Sequence, residues 1–292
     1  MERGERKTVR SYSEGRCLVL ELLGLAALGL VVGAYGTIIG AGGGFVIVPL
    51  LLLLYPGSGP ENVTAVSLAV VCANATSGSF AYARQRRIDY VTGAIFVVSS
   101  IPGVVAGAIT VHYVPERVFT TLFGIILLAA AAVSLRAGSR AVRPPESGRG
   151  VLVRRLTDPE GRVYRYAYRV WQGVLLSMGV GFVSSLFGIG GGVIHVPAMI
   201  ILLHVPVQYA VATSHFILAF MSGGATIIHA FDGSLGGDEA VRAAALAAGA
   251  VPGAQVGAFL SHRIHGRRVL QLLAVAIVVL GVRLLIRGLA GA

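Results

Sequence analysis

The sequence predicts an all-α polytopic membrane protein of two inverted-topology repeats, each of about five helical segments with one short glycine-broken helix. Three observations carry this expectation: an apolar composition, a glycine motif that occurs twice, and basic loops that alternate in opposite sense in the two halves. Of 292 residues, 55% are hydrophobic and 13% charged, and the mean hydropathy is +0.79. An ordinary soluble domain carries about 25% charged residues. The net charge is +11, yet nine of the 24 Lys and Arg lie between Arg136 and Arg169 and most others in the N-terminal segment or short loops. Basic residues at the ends of apolar runs are topology signals before they are a nucleic-acid patch, so no nucleic-acid partner is expected. Cys17 and Cys72 form no C-x-x-C pair, and neither cofactor nor metal is expected.

The chain begins with a segment of mixed charge, residues 1–17, followed by an apolar run from Leu18. No small-residue cleavage site precedes a polar region, so the run is read as a retained first span. Full-length candidate spans follow at 18–35, 63–83, 91–111, 118–135, 170–187, 207–231, 243–260 and 269–286, each near the length that a bilayer core requires. Two segments, 45–55 and 193–203, are too short; each follows a run of glycines and contains a proline, Pro49 or Pro197. The organisation expected is a polar tail (1–17), a first repeat (18–135), a basic loop (136–169) and a second repeat (170–288).

The halves match in three blocks. GAYGTIIGAGGGFVIVP at Gly33–Pro49 aligns with GFVSSLFGIGGGVIHVP at Gly181–Pro197, offset by 148 residues. AVS at Ala65–Ser67 aligns with ATS at Ala212–Ser214, and IPGVVAG ending at Gly107 with VPGAQVG ending at Gly257. The loop with Arg84, Arg86 and Arg87 corresponds to one with Asp232, Asp238 and Glu239; one loop later the bias reverses, with Arg263, Arg267 and Arg268 in the second half. Equivalent loops therefore face opposite sides, as five segments per repeat require. This places both termini outside and the large basic loop inside the cell membrane; the N-terminal Arg and Lys residues favour the reverse for the tail. Within the loop, the D-P-E-G turn between alternating stretches suggests a hairpin, the alternative being a basic linker that touches anionic lipid.

The paired GAGGGFVIVP and GIGGGVIHVP motifs, each followed by an A-x-S block, resemble the TauE/SafE family of sulfite exporters over roughly residues 18–286. The resemblance implies a permease for a sulfur-containing anion such as sulfite, sulfoacetate or another organosulfonate. The first half carries Val66 where the second has Thr213.

The glycine motifs suit an anion on their own chemistry. Helices starting after Gly42, Gly43 and Gly44 and after Gly190, Gly191 and Gly192 present free N–H groups and the positive end of the helix dipole. Close helix packing is the alternative reading, and the preferred one for Gly103/Gly107 and Gly253/Gly257. No carboxylate lies at mid-span, since Glu21 is near a membrane edge; that argues against a carboxylate cation site or proton relay. His195 and His215 are candidate anion donors and a route to proton coupling, with an interhelical structural role as the alternative and the more ordinary one for His229. Ser67, Asn74 and Ser214 complete the candidate substrate-binding set, while Ser77 and Ser222 are further donors.

The function these features predict is a secondary permease working by alternating access around the two glycine breaks, not an enzyme. A passive anion channel is the main alternative. An intramembrane hydrolase built on Ser214 or Ser222 with His229 lacks a G-x-S-x-G elbow, and no Walker motif supports direct ATP drive. The expected partners are a small anionic substrate, the bilayer and a second copy of the chain as a homodimer.

Overall fold

The computed structural model describes residues 2–137, 148–157, 161, 163–261 and 266–290. Ten α-helices and one hairpin follow in order: α1 (Glu2–Ile39), α2 (Gly44–Leu54), α3 (Pro60–Arg84), α4 (Tyr90–Thr110, continued by a 3-10 turn Val111–Tyr113), α5 (Glu116–Ala137), β1 (Val151–Thr157), β2 (Val163–Arg169), α6 (Val170–Phe187), α7 (Gly192–Leu202), α8 (Val207–Phe231), α9 (Gly237–Ser261) and α10 (Gly266–Ala290). Among the described residues, seven helices are long and apolar enough to cross a membrane, including Leu18–Ile39 within α1. In the last helix the apolar stretch among the described residues is Ala274–Ile286; part of the expected span 269–286 falls on side chains outside those described. Arg263 lies outside the described residues altogether. The expected tail is helical from Glu2 and continuous with the first span.

Large apolar side chains remain exposed around the bundle, among them Leu20, Val98, Ile109 and Val275. In water that surface would be costly, at about 25 cal/mol per Å²; against lipid it is the required exterior. The exposed Trp171 and Tyr113 sit at helix ends, where amphipathic rings meet the headgroups.

Inside, small residues set the spacing. α1 packs on α9, α4 on α6, α5 on α10 and α3 on α8. A Cβ added at Gly253 or Gly257 would lie 2.3 Å from the Leu30 or Ala34 carbonyl oxygen of α1. At Gly103 or Gly107 it would lie 2.0 or 2.3 Å from the Met178 or Phe182 oxygen of α6. These glycines are places where two backbones touch. Both prolines of the Pro-Gly pairs, Pro102 and Pro252, are accommodated inside α4 and α9.

The hairpin pairs Val151 with Arg169 through Thr157 with Val163. It docks by its tyrosines: Tyr168 meets Phe96 of α4 edge-on at 6.2 Å, and Tyr164 meets Tyr209 of α8 at 5.5 Å. An ion pair fixes it. Arg154 donates from Nη2 and Nε to the two carboxylate oxygens of Asp89 at 2.7 and 3.0 Å, and the Tyr166 hydroxyl donates to the same carboxylate. Asp89 also caps α4, accepting from the Val91 and Thr92 amides. Burial pushes its carboxyl pKa up, but the bonds from Arg154, Tyr166 and Thr92 outweigh that and leave it below the usual value. The basic loop is thus a docked hairpin rather than a plain linker over its described part.

Candidate functional site

Each short helix starts from a glycine crossover of the same form. Gly40, Gly42 and Gly43 take φ of +80°, +72° and +88°, and Gly188, Gly190 and Gly191 take +67°, +77° and +77°. Any other residue would cost about 1–2 kcal/mol at each such position. Gly43 and Gly191 are the N-cap residues, and no side chain caps either helix. The first amides of α2 and α7 are therefore left without a helical acceptor.

Gly44 and Gly192 are helical, and the reason for glycine there is contact. A Cβ on Gly44 would lie 2.4 Å from the Gly188 carbonyl oxygen, and one on Gly192 would lie 2.1 Å from that of Gly40. The two breaks interlock backbone to backbone. The serines complete a reciprocal pattern: Ser67 donates to the Gly188 carbonyl at 2.6 Å, and Ser214 donates to that of Gly40 at 3.1 Å. Each serine of one half thus ties the break of the other. Cys72 lies against the Ala219 carbonyl at 3.8 Å, so positions equivalent by the sequence offset meet where α3 and α8 cross.

The remaining candidates divide between the two breaks. Beside the first, Asn74 donates to Thr37 Oγ1 at 3.2 Å and to the Gly42 carbonyl at 3.3 Å. His215 Nε2 lies 3.2 Å from the same Thr37 hydroxyl, and the Tyr82 hydroxyl donates to the Thr37 carbonyl at 2.8 Å. Thr37, Asn74, Tyr82 and His215 are all buried. Thr37 and Tyr82 were not among the sequence candidates, although Thr37 lies within the glycine motif itself.

Beside the second break two polar side chains, His195 and Ser184, have no hydrogen-bond partner among the described residues. His195 is fully buried, stacks on Phe96 at 5.8 Å, and has no hydrogen-bond partner at either ring nitrogen among the described residues. The Ser184 hydroxyl is buried and unpartnered as well. Both belong to the surroundings of Gly191: the His195 amide donates to its carbonyl at 2.8 Å, and Ser184 Cβ is 3.4 Å from where a Gly191 Cβ would stand. Met221 packs at the same distance and lines a cavity of about 110 Å³ between α4 and α8, with Val97, Ser100, Val104, Phe220 and Gly224. Buried polar atoms without partners in an apolar bundle call for a ligand or water, because each otherwise costs about 1–3 kcal/mol. Thr213, the position where the halves differ, accepts from the Asp89 amide at 3.0 Å and so serves the hairpin end of α4.

Two interlocked helix breaks and unpartnered polar side chains inside a multi-span bundle are features that membrane transporters use at their binding sites. The family model for the sulfite exporter TauE/SafE matches residues 25–284. The chain is a member of that family. It is similar to the probable membrane transporter protein YunE of Bacillus subtilis, 32% identical over 91% of this chain and 97% of that one. It is also similar to the probable membrane transporter protein YjnA of the same organism, 26% identical over 88% and 97%, and to a probable membrane transporter protein of Methanocaldococcus jannaschii, 27% identical over 70% of each chain. No solved structure matches it.

Proposed function

We propose that this protein is a secondary permease for a small sulfur-containing anion such as sulfite, sulfoacetate or another organosulfonate, held at the start of α7. The observation that carries the reading is the free N-terminus of a glycine-started helix beside two buried, unpartnered donors, His195 and Ser184. Helix amides and neutral hydrogen-bond donors hold an oxyanion without a charged side chain at mid-span. The family name supports the sulfur-anion class.

The duplication supports alternating access. The reciprocal contacts, Ser67 to Gly188 and Ser214 to Gly40, support two repeats related by a pseudo-two-fold axis in the membrane plane. Rocking one repeat against the other then breaks one set of ties while the other persists. The polar groups differ between the breaks: Asn74, Thr37 and His215 bond one another beside the first, while His195 and Ser184 beside the second are left for a ligand. The protein sits in the cell membrane with Arg84–Arg87 and the hairpin inside and both termini outside, following the distribution of arginines.

Thermal stabilisation of the purified protein by a panel of sulfite, sulfoacetate, taurine, thiosulfate, sulfate and chloride tests this. Selective stabilisation by a sulfur oxyanion that Gly191→Val abolishes is the expected result. An equal response to chloride, or a response that Gly191→Val leaves unchanged, contradicts it.

A further inference from the structure

We propose that His112, His229 and Asp232 form a binding site for a divalent transition-metal cation of the zinc class. His112 comes from the first half of the chain, and His229 and Asp232 from the second. His112 lies in the turn that ends α4, His229 in the last turn of α8, and Asp232 immediately after α8. One nitrogen from each histidine and one carboxylate oxygen all lie within 4.8 Å of one another.

The details suit a metal. Asp232 Oδ2 is 3.2 Å from His229 Nδ1 and 3.4 Å from His112 Nε2. A tetrahedral zinc ion with bonds of about 2.0–2.1 Å separates its ligand atoms by about 3.3 Å. Two edges of the tetrahedron are therefore already formed, and the third closes by rotation of His112, the more exposed histidine at 34%. The fourth position has an occupant at hand: Ser234 Oγ is 3.2 Å from His112 Nε2.

The outer groups are in order too. The Ser234 amide donates to Asp232 Oδ1 at 2.9 Å, which turns Oδ2 toward the histidines and supplies the kind of support that tunes metal ligands. His229 is completely buried and its Nε2 has no partner among the described residues; its polar contact is directed at this cluster. Two imidazoles and one carboxylate select a borderline metal such as Zn²⁺, Ni²⁺ or Co²⁺ over Mg²⁺ or Ca²⁺, which prefer all-oxygen shells. The polar groups of the two glycine breaks are not involved, so the site stands apart from the substrate reading.

The test is zinc titration of the full-length protein in detergent by calorimetry, with metal content measured after desalting. One tight equivalent of Zn²⁺ is expected, with no comparable binding of Mg²⁺. His112→Ala and Asp232→Asn, both at partly exposed positions, should each weaken that equivalent at least 100-fold, the upper end of what loss of an outer-shell partner alone costs. Any zinc held by His262 and His265, which lie outside the described residues, is retained in these variants. X-ray absorption of the zinc-loaded protein should show two imidazole nitrogens and oxygen at about 2.0–2.1 Å. Absence of a tight equivalent in the wild type overturns the proposal. So does binding that both variants retain in full.

Discussion

Replacing Asp89 by Asn should undock the hairpin. Asp89 is 1% exposed and accepts from Arg154, Tyr166, the Thr92 hydroxyl and two helix amides. The amide of Asn keeps the shape but turns one acceptor into a donor that faces Arg154 Nε and two hydroxyls. Breaking a buried ion pair costs about 3–5 kcal/mol. The Arg154 side chain is 24% exposed, so water recovers part of that, leaving roughly 2–3 kcal/mol against docking. At 1.36 kcal/mol per tenfold, the undocked population rises about 30- to 150-fold. A two-stranded hairpin is at best marginally stable alone in water, so undocking exposes its ladder amides. Hydrogen exchange read on peptides covering 151–157 and 163–169 should accelerate by that factor, while peptides from α3 and α8 stay unchanged. A double-mutant cycle with Arg154→Gln isolates the coupling. Exchange within the hairpin that changes less than about threefold would refute the assignment of Asp89 as its anchor, because the worked loss is at least 2 kcal/mol.

The same carboxylate gives a pH dependence. Its folded pKa lies below the unfolded value near 3.9, so its contribution to docking is complete above that value and is lost as pH falls through the folded pKa; exchange of the hairpin should be flat from neutral pH to about 5 after correction for intrinsic rates, then rise in more acid solution. Gly192→Ala drives a methyl to 2.1 Å from the Gly40 oxygen and should lower stability by about 1–3 kcal/mol and stop transport, whereas Gly179→Ala, with nothing within 4 Å, should be neutral or stabilising by up to about 1 kcal/mol; melting in detergent and uptake assays read both. His195→Leu removes two unpartnered polar atoms at similar volume, so melting should hold or rise. Substrate affinity should fall roughly 10- to 150-fold, the worth of a hydrogen bond to a charged group, and a calorimetric affinity equal to wild type would remove His195 from the site.

What was legible in the sequence is what repeats. Gly40, Gly42 and Gly43 and their partners 148 residues on stand at positive φ because only glycine enters that region without strain, and the resulting breaks were visible as short apolar runs with glycine ahead and proline within. Gly44 and Gly192 are glycine for a different reason, contact across the halves, which no local pattern reveals. Ser67 and Ser214 were legible as paired positions, but not that each hydroxyl serves the opposite break. Thr37 and Tyr82 escaped because a lone hydroxyl in an apolar run looks like any other span residue until Asn74 and His215 are seen beside it. Asp89 belongs to no repeated block or motif, and its partner Arg154 lies 65 residues away. His112 and His229 sit in unlike contexts 117 residues apart, and only the parallel course of α4 and α8 brings them together.

The central claim is tested most directly by flux of labelled sulfite and sulfoacetate into liposomes containing the purified protein, with unlabelled anion inside. The account predicts saturable uptake, faster with the anion on the far side, and lost in Gly191→Val while the variant remains folded. Non-saturable flux indifferent to the anion on the far side, or equal flux through Gly191→Val, would contradict it.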